Sequence, residues 1–233
     1  MSIQNTISII GDSIMRGVIF DEIAKKYKTL TESAANLFGL SNKVEIKNHS
    51  RFGQTSAHIM DRLPAMLEAE SDLVLIELGN NDCDKKWEEV IADPDTDHES
   101  IVPFETFKNN IRTIIENIRK AGKKPVVMTL HPIDGDRYFD FIAHGDQGRA
   151  NNLIKFLGDK NLIYRTQERY AEALERIAVA AQVPTVPLRE RLLSVHKYSD
   201  YMCSDGIHLN QRGQELVKQV CDERYLEYVK TGL

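Results

Sequence analysis

Three polar clusters hold the residue types of acyl-transfer chemistry: Gly11-Asp12-Ser13, Gly79-Asn80-Asn81-Asp82 and Asp205-Gly206-Ile207-His208. A serine hydroxyl attacks a carbonyl carbon once a nearby base takes its proton, and imidazole suits that task near neutral pH. Asp205 and His208 are three residues apart with a glycine between them. A tight turn can therefore bring the carboxylate to the ring, where it fixes the tautomer and orientation of a base. Asn81 follows an apolar run, and a side-chain amide there can donate to a developing oxyanion without adding charge. A fourth position, Gly53 in NHSRFGQTS, can offer a backbone N–H as a second donor, or only supply a positive φ angle.

Each residue type also has an ordinary structural use. A serine between strand and helix commonly caps the helix. Asn and Asp form turns, and so does an Asp-Gly pair that leaves His208 on the surface near a helix start. The sequence lacks the GxSxG elbow of ordinary α/β-hydrolases. It also lacks HExxH and any Cys/His cluster, and its seven histidines are scattered, so no metal or other cofactor is expected.

The elements that must position these residues can be read from apolar periodicity. Five short runs predict strands: TISII at 6–10, VEIKN at 44–48, DLVLIEL at 72–78, PVVMTL at 125–130 and VPTVPL at 183–188. Nearly continuous Val, Ile and Leu in the first, third and fourth fit strands of a parallel sheet covered on both faces. Between the strands lie helical stripes: Phe107, Ile111, Ile114, Ile115 and Ile118, stopped by Gly122; Tyr170, Leu174, Ile177, Ala178 and Ala181; and Leu216, Val217, Val220 and Leu226. A further helix is expected around Thr31–Phe38, and the pattern assigns nothing to the residues between Ser13 and it. This alternation predicts a doubly wound α/β sandwich, in which ligands sit beyond the carboxyl ends of the strands. All four motifs follow or face those ends.

Residues 83–103 and 131–164 break the alternation. They are expected to be long loop insertions, walls or a lid over the site. With no repeat or linker, 233 residues are read as a single domain, 1–233. A net charge of −5 disfavours a nucleic-acid or anionic-membrane partner, since both are usually met by basic surfaces. The opening MSIQNTISII has neither a basic n-region nor an apolar h-region, so no signal peptide is expected. The longest apolar runs are strand-sized, which speaks against a membrane-spanning helix. Three scattered cysteines without CxxC spacing suit reduced thiols, and the expected location is the cytoplasm.

In order and strand context the four motifs resemble those of the SGNH hydrolases, the GDSL lipase/esterase superfamily, over nearly the full length. The resemblance implies a flavodoxin-like three-layer α/β/α sandwich with a five-stranded parallel sheet of order 2-1-3-4-5. It implies Ser13 as nucleophile, His208 as base and Asp205 as the group that orients it. The oxyanion hole would be the N–H groups of Ser13 and Gly53 with the side-chain amide of Asn81, and Asp12 and Asp82 would support these motifs. Two departures stand out. Ile14 replaces the usual leucine, and Ser50 and Phe52 replace smaller residues beside Gly53, which narrows the pocket.

The activity implied is that of a serine esterase acting on a small-molecule ester. Trp87, Arg137, Tyr138, Phe139 and His144 suit a sugar ring or another small polar alcohol, so deacetylation of a carbohydrate or similar metabolite is expected. Short-chain acyl thioester hydrolysis and a lysophospholipase-like activity are the alternatives. Arg16 is read as a solvated surface residue. A non-enzymatic alternative is a nucleotide- or flavin-binding module. Against it, GxGxxG and a P-loop are absent, and Asp12 would repel phosphate at the first turn.

Overall fold

A computed structural model describes residues 6–231. Its strands, in chain order, are β1 (Thr6–Gly11), β2 (Val18–Asp21), β3 (Lys26–Thr29), β4 (Glu45–Asn48), β5 (Leu73–Glu77), β6 (Lys124–Met128) and β7 (Thr185–Val186). Five of them form one sheet in the order β4-β1-β5-β6-β7, with every pairing parallel. This is the expected 2-1-3-4-5 arrangement. β1 and β5 are buried along almost their whole length because helices cover both faces. Alternate residues serve the two layers. Ile10, Val74 and Ile76 pack with Phe107, Ile111 and Ile114 of the helix Phe104–Lys120 and with Leu174 of Asn161–Ala180. Ile7, Ile9, Leu73 and Leu75 pack with Phe38 of Ala34–Asn42 and with Val217 and Val220 of Gln211–Thr231.

Three parts differ from the sequence expectation. The last strand shrinks to two residues because Pro184 and Pro187 on either side of it have no N–H for a ladder. The Pro184 carbonyl still accepts from Val127 N at 3.0 Å. The unassigned stretch after Ser13 forms an antiparallel ribbon of β2 and β3, turned by Asp21, whose carboxylate accepts from the N–H groups of Ile23 and Ala24 at 3.0 and 2.9 Å. The segments expected to be loops are largely helical, comprising Trp87–Ala92, Gly135–Ala143, Gln147–Leu157 and the start of Asn161–Ala180. Asp134 and Asp146 cap two of these helices by accepting from Arg137 N and Arg149 N. Val90, Ile133, Ile142, Leu153 and Leu157 pack there into a third apolar cluster.

Candidate active site

The chain leaves β1 at Gly11 and turns at once into a short helix, Ser13–Arg16. Asp12, not Ser13, is its cap: the Asp12 carboxylate accepts from Ile14 N at 2.8 Å. The serine hydroxyl is thereby left to other partners. Three side chains brace this turn through its carbonyls: Gln54 on Gly11 at 2.5 Å, Asn48 on Met15 at 2.8 Å and Gln214 on Ile14 at 3.0 Å.

Ser13 Oγ lies 2.9 Å from His208 Nε2, across 195 residues of sequence. His208 Nδ1 lies 2.6 Å from Asp205 Oδ2, while Asp205 Oδ1 accepts from the N–H groups of Ile207 and His208 at 3.1 and 3.0 Å. Both carboxylate oxygens are therefore occupied, and the imidazole is fixed in the tautomer that turns its Nε2 lone pair toward the hydroxyl. Burial acts to raise the Asp205 carboxyl, but the hydrogen bonds and charge of His208 outweigh it and hold the group below its ordinary value. The turn depends on Gly206. Its φ is +77°, and a Cβ would stand 2.5 Å from the Asp134 carbonyl oxygen and 2.6 Å from Tyr138 N. Two aromatic rings flank the imidazole: Tyr27 from β3, 4.9 Å away between centroids, and Phe52, stacked at 5.9 Å.

The Gly79-Asn80-Asn81-Asp82 segment begins beyond β5. Asn81 Nδ2 donates to Asp12 Oδ2 at 3.1 Å and to the Gln54 carbonyl at 3.2 Å. Glu77, fully buried at the end of β5, accepts from Asp12 N at 3.1 Å. Burial, followed by the charge of Asp12, pushes its carboxyl well above the ordinary range. Burial raises the Asp12 carboxyl as well, opposed by its two donors, Ile14 N and Asn81 Nδ2. Asp82 holds Ser56 through both its N–H, at 3.0 Å, and its hydroxyl, so it pins the start of the helix Ser56–Met60. Gly53 lies in the preceding turn with φ +67°.

Burial raises the Asp82 carboxyl from 3.8 to about 7 despite the Ser56 hydrogen bonds. A folded value above the unfolded one means that the proton is held more tightly in the folded chain. The stability it contributes is full below about pH 4 and is lost as the pH rises through about 7. Asp82→Asn, neutral at every pH, is expected to gain thermal stability relative to the parent between about pH 4 and 8. A midpoint difference that stays constant over that range would contradict this.

Ser13 and His208 open on a cavity of about 200 Å³, small beside ligand pockets of roughly 300–1,000 Å³. Of the residues expected there, Trp87 and Tyr138 line it. Arg137 and Phe139 do not. The Arg137 guanidinium donates to the Ser199 carbonyl at 3.0 Å and pairs with Asp134, and Phe139 is buried in the third apolar cluster under Lys160. His144 ends its helix with φ +54° and packs against Phe141. Arg16 is exposed.

Residues 9–216 match the profile of the GDSL-like lipase/acylhydrolase family. The chain belongs to this family. It is a carboxylic ester hydrolase, and the nucleotide-binding alternative falls away. Among solved structures, the lipase/acylhydrolase from Enterococcus faecalis aligns with a TM-score of 0.67 at 19% identity, covering 94% of each chain. The psychrotrophic esterase EstA from Pseudoalteromonas sp. aligns with 0.62 at 18% identity, covering 97% of this chain and 100% of the other. At such identities the likeness speaks for the fold. No protein of curated function matches the sequence.

Sequence reasoning missed several residues of this acylhydrolase. Tyr27 sits in β3, whose sequence KYKT carries no apolar run. Asp84 accepts from Trp87 Nε1 and from the Tyr138 hydroxyl, both at 2.7 Å, and so sets both rings of the cavity wall. His131 and Gln167 are buried at the cavity. A polar residue just past the carboxyl end of a strand was the available signal for His131. Gln167, inside a long helix, offered none.

Proposed function

We propose that the chain hydrolyses a short-chain ester, acetyl foremost, of a small polar alcohol such as a carbohydrate, with Ser13, His208 and Asp205 as its catalytic triad. The observation that carries this reading is the unbroken chain from Asp205 through His208 to Ser13 Oγ at the edge of a small cavity. His208 takes the hydroxyl proton as Oγ attacks the carbonyl carbon. The protonated ring then gives that proton to the departing alcohol, leaving an acyl-enzyme. Water, deprotonated by the same imidazole, attacks the acyl carbon and releases the acid.

The developing oxyanion is held by the N–H groups of Ser13 and Gly53, for which no protein acceptor is found among the described residues. Asn81 joins them by turning toward the oxygen the hydrogen that now meets the Gln54 carbonyl. Loss of one such donor typically costs ~10²–10³ in turnover. Asn81→Ala is therefore expected to lose about a hundredfold or more in kcat with little change in KM. A variant retaining above roughly a tenth of parental kcat would remove Asn81 from this role.

The small cavity supports short acyl groups over the long chain of a lysophospholipid. A p-nitrophenyl ester series from acetate to octanoate tests this: kcat/KM is expected to fall steeply beyond butyrate, and a maximum at octanoate would overturn the acyl assignment. Acetylated sugars then test the alcohol. Cys83, Cys203 and Cys221 are free, buried thiols, which supports a reducing compartment such as the cytoplasm. No described helix is long and apolar enough to cross a membrane.

A further inference from the structure

We propose that the rings of Phe52 and Tyr27 form a stacking platform, at the mouth of the catalytic cavity, for a sugar ring on the alcohol part of the substrate. This rests on the ester-hydrolase reading for the bond cleaved and deepens it by naming what reads the alcohol.

Phe52 and Tyr27 line the same cavity as Ser13 and His208. Among the described residues that line it, Phe52 alone is exposed, at 56% against 6% for Ser13 and 4% for His208. It therefore marks the way out to solvent. Both rings pack on the catalytic imidazole, Phe52 stacked at 5.9 Å and Tyr27 at 4.9 Å, and their centroids lie 5.0 Å apart. His208 gives its proton to the departing oxygen through Nε2, so the alcohol stands beside this imidazole. A cavity of about 200 Å³ takes a short acyl group, and a sugar attached to that group reaches the mouth.

Phe52 is held in place before any ligand arrives. It occupies a turn in which Gln54 N donates to the Arg51 carbonyl at 3.3 Å and Gly53 adopts φ +67°. Both ends of that turn are tied to one atom, the Gly11 carbonyl oxygen, by Arg51 N at 3.4 Å and Gln54 Nε2 at 2.5 Å. A preformed surface loses less freedom on binding. A lone exposed phenylalanine is ordinary, but two adjoining rings at a nucleophile's cavity offer a ligand an apolar face. Their flat surfaces match the C–H face of a pyranose. Half-buried Asn80, Lys85 and Thr166 in the same lining suit its hydroxyls and not an alkyl chain.

The test compares methyl glucopyranoside acetylated on its primary hydroxyl with glycerol monoacetate, two acetates of hydroxylated primary alcohols that differ in the ring. The parent enzyme is expected to favour the glucoside by about tenfold in kcat/KM, chiefly through KM. Phe52→Ala and Tyr27→Leu are each expected to bring the ratio toward unity, and Phe52→Trp to keep it. A Phe52→Ala variant that slowed both esters alike would show a ring that only steadies the imidazole, which would overturn the proposal. Equal efficiency on both acetates by the parent would overturn it too. So would a parent that cleaved octyl acetate more efficiently than the glucoside, because the platform would then serve an alkyl chain. A ring preference confined to the methyl ester of a methyl glucuronoside over methyl glycerate, where the ring lies on the acyl side, would count against it equally. If the parent cleaved no ester faster than Ser13→Ala, the hydrolase reading itself would fail, a result distinct from equal cleavage of both acetates.

Discussion

Ser13→Ala is expected to lower kcat by about 10⁶-fold, leaving only the slow hydrolysis that binding and oxyanion donors support without a nucleophile. The size of the effect follows from the geometry. Among the described residues, Ser13 Oγ is the hydrogen-bond partner of His208 Nε2, at 2.9 Å, and Ser13 lines the cavity. The fold does not depend on it. Asp12 caps the helix through Ile14 N, and Gln54, Asn48 and Gln214 hold the surrounding carbonyls. The variant should therefore keep the parental thermal midpoint to within a few degrees. A Ser13→Ala enzyme with more than roughly a hundredth of parental turnover would show that another group attacks the ester.

Asp205→Asn should cost about 10⁴-fold in kcat while leaving the turn in place. The amide oxygen can take over the role of Oδ1, accepting from Ile207 N and His208 N. The NH₂ group then stands where Oδ2 now meets His208 Nδ1 at 2.6 Å. Two donors cannot share that contact, so the ring adopts the other tautomer and turns an Nε2–H toward Ser13. The base is lost without loss of structure. Turnover within about tenfold of the parent would mean that Asp205 does not set the tautomer.

Short-range pattern made much of this site legible. Asp205 and His208 are close in sequence, and Gly206 marks the turn that joins them. The sheet announced itself through apolar runs dense enough to be buried on both faces. What stayed hidden depends on direction or distance. Arg137, Tyr138 and Phe139 are consecutive on one helix, where successive side chains point ~100° apart, so composition alone could not say that only Tyr138 faces the cavity. The insertion at 131–164 offered aromatic residues and glycines, which masked the Asp134 and Asp146 caps. In β3, KYKT, Tyr27 stands alone among polar residues, so no period revealed that this strand delivers it to the imidazole. His131 and Gln167 become a pair only when a strand end and a long helix meet.

The claim that a base from the far end of the chain makes Ser13 reactive can be tested by covalent labelling. Treatment with a p-nitrophenyl alkylphosphonate, followed by intact-mass analysis and peptide mapping, should place a single phosphonyl group on Ser13 of the parent enzyme. Under the same conditions His208→Ala should remain unlabelled. An inactivated enzyme carrying the adduct elsewhere, or a His208→Ala variant labelled at Ser13 as fast as the parent, would contradict the account.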